Sequence, residues 1–274
     1  MQTINYPLIV SDFDGTLVKD DGTISQRNKE AITAYVDAGG AFAISTGRMP
    51  SGILSRAREL GLKGMISCCQ GAIIVDIESG DVVLDAKIPY ETTLAVVERM
   101  EEMGLHIHVY DLWEYYCNMD DEALKMYERA VKSKAILVTD RKMSDFIREK
   151  RLSSYKILAM VHPKDNESVL NALAQENFAG CDVTRSADFL VEVINAGYSK
   201  GTAVEFLAKY FNTTVEKTVA IGDQRNDLPM IERAGIGVAV KNADQALKDK
   251  ADYVCEDTNE EDAVASVIAR FGYR

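Results

Sequence analysis

A chain of 274 residues with 47% hydrophobic and 27% charged side chains has the balance of a globular protein, long enough for one large domain or two ordinary ones. That balance excludes collagen-like, disordered and disulfide-scaffold classes. Lys plus Arg is 31 against 43 Asp plus Glu, a formal charge of −12, so no broad basic face is expected to neutralise a nucleic-acid backbone, and an anionic substrate needs a local positive site.

The opening MQTINYPLIV has no basic segment ahead of a long apolar stretch, and no run approaches the ~18 apolar residues of a membrane span. A cytoplasmic protein with neither nucleic-acid nor membrane partner is the expectation. Leu8–Ser11 reads as a buried strand ending at Asp12, and Lys19-Asp20-Asp21-Gly22 as a turn within a small hairpin flap. Ser25 reads as the N-cap of a helix running to about Asp37 and closed by Gly39-Gly40. Ala41–Ser45 is a second strand, Pro50 sits near the start of a helix ending near Gly61, and Met65–Cys69, Ala72–Val75 and Val82–Asp85 are further strands. This alternation is the pattern of a parallel sheet with helices on both faces.

The middle of the chain changes character. Thr92–Met103, Asp121–Lys132 and Lys164–Asn177 read as helices. Leu105–Tyr110 with Trp113–Asn118, and Val183–Ser186 with Phe189–Ile194, read as strand pairs, with Tyr155–Val161 between them. From about Lys200 the alternation resumes: helix 200–210, strand 219–222, helix 227–233, strand 237–240, and helices near 243–250 and 260–270. The predicted fold is therefore α/β: a doubly wound, Rossmann-like parallel-sheet core over residues 1–84 and 190–274, interrupted by an inserted α+β cap over 85–189.

Three core strands end in polar clusters: Asp12-Phe13-Asp14-Gly15-Thr16, Ser45-Thr46-Gly47-Arg48, and Gly222-Asp223-Gln224-Arg225-Asn226-Asp227. Open α/β sheets bind ligands beyond the carboxyl ends of their strands, so segments distant in sequence can meet there. Asp12, Asp14, Asp223 and Asp227 are hard oxygen donors of the kind Mg²⁺ prefers, and that ion takes one or two carboxylates together with water and substrate phosphate. Thr46 supplies a hydroxyl, Gly47 an approachable amide near a helix start, and Lys200 a point charge. Together these are the parts of a phosphoryl-transfer site.

Those same residues resemble the four signatures of the haloacid dehalogenase superfamily: Asp12–Thr16 the first, Ser45–Arg48 the second, Lys200-Gly201 the third, and Gly222-Asp223 through Asn226-Asp227 the fourth. They occur in order and span nearly the whole chain. The Thr-Gly-Arg form of the second and the large insertion before the third resemble the Cof-type sugar-phosphatase branch, which carries an α/β cap over the active site. The resemblance implies that Asp12 is the nucleophile, forming an aspartyl-phosphate, and that Asp14 is first general acid and then general base. It implies that Thr46, with the Gly47 amide, holds the transferring phosphoryl group, and that Lys200 neutralises nucleophile and phosphate. Mg²⁺ would be held by Asp12, the Asp14 carbonyl and Asp223; Asn226 contacts phosphate, and Asp227 is a ligand or a support behind one. Arg48 is a substrate contact or the partner of a surface acid. Gln70-Gly71-Ala72 departs from the Asn-Gly-Ala common in relatives.

The expected activity is Mg²⁺-dependent hydrolysis of a small phosphorylated metabolite, a sugar phosphate first. The rivals are phosphomutase transfer to a second hydroxyl, or a phosphometabolite sensor that retains the fold without turnover. Outside the site, His106 and His108 share one strand face and read as structural or, less simply, as substrate contacts. Trp113, Tyr115 and Tyr116 read as cap packing or, for one of them, as a wall of the substrate pocket. The five Cys form no CxxC, and with three His there is no zinc-finger spacing, so buried thiols are expected.

Overall fold

A computed structural model describes residues 3–274. They divide into two compact units: one built from the chain up to Gly47, Leu54–Val83 and Ser199–Arg274, the other from Arg48–Ile53 and Leu84–Tyr198.

The first unit is organised by a five-stranded sheet in the order Tyr253–Val254, Ile236–Ala239, Thr218–Gly222, Leu8–Ser11, Ala41–Ile44. Every neighbouring pair is parallel. The Leu8–Ser11 and Thr218–Gly222 strands are buried along their whole length, which is why they read as unbroken apolar runs rather than as alternation. Beyond Ile44 a single parallel bridge from Ser45 to Ser67 carries the sheet on to Met65–Cys68, which pairs antiparallel with Ile73–Asp76. The Leu8–Ser11 strand is flanked by Ala41–Ile44 on one side and by Thr218–Gly222 on the other, so the chain leaves the sheet centre in both directions. That is the topological switch at which an open α/β sheet leaves a crevice.

Helix starts are fixed by side-chain caps. Ser25 Oγ accepts the Asn28 N–H at 3.0 Å and opens the helix Gln26–Asp37. Ser199 caps Lys200–Tyr210 by accepting from the Gly201 and Thr202 amides, while Thr202 Oγ1 accepts the Ser199 N–H. The expected hairpin flap after Asp14 is reduced to one bridge, Asp14 to Val18, and a turn closed by the Lys19 N–H donating to the Thr23 carbonyl at 2.9 Å.

The second unit carries a six-stranded sheet in the order Cys181–Ala187, Leu190–Asn195, Lys156–Met160, His106–Tyr110, Tyr115–Cys117, Ile136–Leu137. All pairs are antiparallel except the last. Strand alternation sorts its faces. Ile107, Val109, Ile157, Ala159, Val191 and Val193 form an apolar face against the helices Tyr90–Glu102, Met143–Lys150 and Asn166–Gln175. The alternate residues His106, His108, Tyr110, Lys156 and Glu192 are polar yet buried. Lys156 and Glu192 lie diagonally across neighbouring strands, Lys156 opposite Ile194 and Glu192 opposite Leu158, and form an ion pair of 2.8 Å.

Sequence and structure differ at identifiable places. The boundary expected at 190 falls inside the hairpin of Cys181–Ala187 and Leu190–Asn195, and two strands joined by so short a turn cannot be shared between sheets; the change of unit lies at Ser199. The helix Met143–Lys150 and the two-residue strands Ile136–Leu137 and Tyr253–Val254 were not predicted. Tyr115 and Tyr116 are buried, but Trp113 is 48% exposed and so is not a packing residue. No helix among the described residues is long and apolar enough to cross a membrane.

The Lys156–Glu192 pair yields a direct test. Lys156→Met should destabilise the second unit by about 3–5 kcal/mol in urea titrations, because it removes the cation 2.8 Å from a buried carboxylate. Lys156→Met combined with Glu192→Leu should recover most of that loss; a double variant as unstable as the single would show that the pair's charges do not set the cost.

Candidate active site

The strand ends deliver the acids. Asp12 follows the central strand directly, and its N–H donates to the Ile221 carbonyl of the neighbouring strand at 2.8 Å. Asp223 follows that neighbour. Residues 207 apart then meet, as Thr16 Oγ1 donates to Asp223 Oδ1 at 2.8 Å. Ligand oxygens of Asp12, Asp223 and Asp227 all lie within 4.8 Å of one another, and all three residues are buried. The turn that follows Asp14 requires Gly15. Its φ is +78°, and a Cβ there would sit 2.5 Å from Asp223 Oδ2.

Lys200 holds the group together. Its ammonium donates to Asp12 Oδ1 and to Asp227 Oδ1, each at 2.6 Å, and the side chain is fully buried. The other Asp227 oxygen accepts the N–H groups of Asp223 and Gln224 at 2.9 and 3.0 Å. Asp227 is thus engaged at both oxygens, anchoring the lysine with one and shaping the Asp223 loop with the other. The loop is tied from outside as well: Asp244 N–H donates to the Asp223 carbonyl and Asn242 Nδ2 to the Gly15 carbonyl, both at 2.8 Å.

One buried ammonium faces three buried carboxylates. Burial pushes the Asp12 carboxyl well above the ordinary carboxylate range, the Asp227 charge adds to the rise, and Lys200 opposes it. Burial and the same neighbour push Asp223 up to about 7. Burial pulls the Lys200 ammonium down, but Asp12 and Asp227 outweigh it and keep the group charged above the usual lysine range. Three buried acids around one ammonium leave an excess of negative charge that a divalent cation would offset. The donors suit a hard ion: Asp12 and Asp223 offer carboxylate oxygens in mutual reach, while Asp227 is already committed. These residues therefore fit Mg²⁺.

The remaining predicted residues are placed as follows. Thr46 is buried, its N–H donating to the Ser67 carbonyl at 3.0 Å and its carbonyl accepting the Gln70 N–H at 3.1 Å. Asn226 Nδ2 donates to Gln70 Oε1 at 3.1 Å, and a Cβ on Gly47 would lie 2.7 Å from Gln70 Nε2. Gln70 therefore links the second and fourth clusters. Cys69, Gln70 and Gly71 have consecutive positive φ values of 47°, 60° and 99°. Such strain persists only where surroundings fix it; here Gly71 packs so tightly that a Cβ would stand 2.2 Å from the Ser199 carbonyl, at the start of the Lys200 helix. Asp14 is exposed and its carboxylate is not among the three clustered acids. Arg48 belongs to the second unit, where it donates to the carbonyls of Ala130 and Val131 at 3.1 and 3.2 Å.

Sequence reasoning missed Thr16 as a holder of Asp223, Gln70 as the link to Asn226, and the ties from Asn242 and Asp244. Thr16 sits inside a motif whose acids drew the attention, and Gln70 was visible only as a departure. Nothing in the sequence around Asn242 marks it.

Residues 9–268 match the model of the haloacid dehalogenase-like hydrolase family. Over 282 residues the chain is 28% identical to the 5-amino-6-(5-phospho-D-ribitylamino)uracil phosphatase YitU of Bacillus subtilis, covering 99% of each chain. It is 26% identical to the pyridoxal phosphate phosphatase YbhA of Escherichia coli, over 95% of this chain and 97% of that one. A solved haloacid dehalogenase-like hydrolase from Bacteroides thetaiotaomicron superposes with a TM-score of 0.82 at 30% identity, covering 97% of this chain and 99% of that one.

Gly15→Ala should weaken Mg²⁺ binding by about 10- to 100-fold in titration calorimetry, the range seen when a group that orients a metal ligand is disturbed. Unchanged affinity in a folded variant would show that the Gly15 contact does not position Asp223.

Proposed function

The chain belongs to the haloacid dehalogenase-like hydrolase family, in its Cof-like branch, and from that premise we propose that it hydrolyses a small phosphomonoester by transferring the phosphoryl group to Asp12 and then to water. The observation that carries this reading is the Lys200 ammonium 2.6 Å from Asp12, at the end of the central strand and beside Asp223.

An attacking carboxylate meets a phosphate that is itself anionic, so charge must be cancelled before the oxygen and phosphorus can approach. Lys200 does part of this and fixes the Asp12 rotamer, leaving a positioned oxygen for attack. Asp12 and Asp223, with the Asp14 carbonyl, would hold Mg²⁺, which supplies positive charge at the phosphoryl oxygens when bound. In the first displacement an Asp12 oxygen bonds to phosphorus as the ester bond breaks, and the departing alkoxide takes a proton from Asp14. In the second, Asp14 accepts a proton from water, whose oxygen bonds to phosphorus as the Asp12–phosphorus bond breaks. Exposure suits Asp14 to both tasks, since its proton must come and go. The Thr46 hydroxyl and Gly47 amide hold the phosphoryl group, and Asn226, kept in place by Gln70, contacts it. Asp227 positions Lys200 and the Asp223 loop rather than binding the ion.

The substrate is a phosphorylated metabolite, with sugar phosphates the first class to try. The relatives named for a phosphoribitylaminouracil and for pyridoxal phosphate act on other small phosphomonoesters, and these belong in the same panel.

Asp12→Asn should lower phosphate release from the best substrate by roughly 10⁴-fold or more while the fold persists. Turnover near the parent rate would remove Asp12 as nucleophile. Chelation with EDTA should silence the parent protein and excess Mg²⁺ should restore it; full activity in chelated buffer would remove the divalent ion from the site.

A further inference from the structure

The polar face of the second unit's sheet contains a donor set the phosphatase reaction does not use. His106 and His108 stand two residues apart on one strand and so point the same way, and Cys117 lies directly across from His108 on the next strand. His106 Nε2 is 3.1 Å from His108 Nε2 and 3.0 Å from Cys117 Sγ. All three side chains are buried, and they form a group whose ligand atoms lie within 4.8 Å of one another.

We propose that His106, His108 and Cys117 form a second metal site, distinct from the Mg²⁺ site, that takes a borderline divalent ion, Zn²⁺ by donor chemistry. Two imidazole nitrogens and a thiolate are ligands that hard Mg²⁺ declines and Zn²⁺ accepts. With Zn–N near ~2.0 Å and Zn–S near ~2.3 Å, tetrahedral coordination sets the nitrogens roughly 3.3 Å apart and sulfur about 3.5 Å from nitrogen. The observed separations are a few tenths of an ångström shorter, within the spread that small ring rotations supply.

Proton placement supports the assignment. His106 Nδ1 faces Asp121 Oδ2 at 3.1 Å, and a carboxylate only accepts, so Nδ1 carries the hydrogen. With Nδ1 donating to Asp121, the neutral ring presents its lone pair on Nε2. One lone pair accepts one hydrogen bond, yet two atoms approach it at hydrogen-bond distance. If His108 donates and the thiol donates instead to the Met119 carbonyl at 3.1 Å, sulfur and nitrogen lone pairs oppose each other at 3.0 Å. If the thiol donates to His106, the crowding moves to the two imidazoles. An ion at the common focus removes the conflict, with the thiol proton passing to solvent and neither imidazole changing charge.

The surroundings complete such a site. Asp121 orients His106 through the nitrogen that would not bind the ion, the arrangement that fixes ligating histidines elsewhere. The other Asp121 oxygen accepts the Leu124 N–H at 2.8 Å and starts the helix Glu122–Val131. His108 Nδ1 lies 3.4 Å from Tyr110 Oη, which is paired with Tyr127 Oη of that helix. The ion would thus join two strands to the helix that covers them.

The test uses the full chain in excess Mg²⁺, which fills the acidic site, titrated with Co²⁺ as the optical stand-in for Zn²⁺. The expected result is one equivalent bound with a thiolate-to-cobalt absorption band, abolished by stoichiometric Zn²⁺ and absent from Cys117→Ser. His108→Gln, which keeps the thiol, should bind Co²⁺ at least tenfold more weakly, and it decides the matter if the serine variant does not fold. No thiolate band in the parent chain, or a band that survives Cys117→Ser, or unchanged affinity in His108→Gln, would overturn the proposal.

Discussion

The site depends on one buried ammonium placed between two carboxylates. Lys200 contributes the only side-chain cation hydrogen-bonded to Asp12 among the described contacts, and Asp227 holds it from behind. Removing a lysine from water is costly, and the cost is met because two acids 2.6 Å away keep it charged. That requirement explains why one Asp227 oxygen is given to Lys200 while the other fixes the Asp223 loop. It also explains the geometry of the fold: a helix start, a central strand end and the turn after a neighbouring strand must converge within a few ångströms.

Much of that convergence was legible in the sequence because it follows from local rules. Leu8–Ser11 and Thr218–Gly222 are short apolar runs stopped by aspartate, and buried parallel strands read this way. Ser25 and Ser199 announce the helices they cap. The unread parts are those that only tertiary structure defines. The Thr16–Asp223 bond and the Asn226–Gln70 bond join residues 207 and 156 apart, and no window-based pattern contains them. The Leu190–Asn195 strand groups with the second unit for a related reason. A hairpin is recognised by its turn, but the sheet it joins is chosen by the Lys156–Met160 strand, some thirty residues earlier.

The second unit shows the same lesson in polar form. His106, His108, Lys156 and Glu192 alternate with aliphatic residues, as they would on a strand with one face in water. Instead that face is covered by the helix Glu122–Val131, and the polar groups satisfy one another. The sequence has no zinc-finger spacing, and it is strand alternation and cross-strand register that bring the imidazoles to Cys117.

The central claim is that phosphoryl transfer passes through Asp12 in two displacements. Its most direct measurement is the stereochemical course at phosphorus, using a thiophosphate substrate made chiral with oxygen isotopes and hydrolysed in isotopically labelled water. Two in-line displacements predict net retention of configuration in the released or trapped phosphoryl group. Inversion would mean that water attacks the substrate in a single step, and would contradict the account of Lys200 and Asp12 given above.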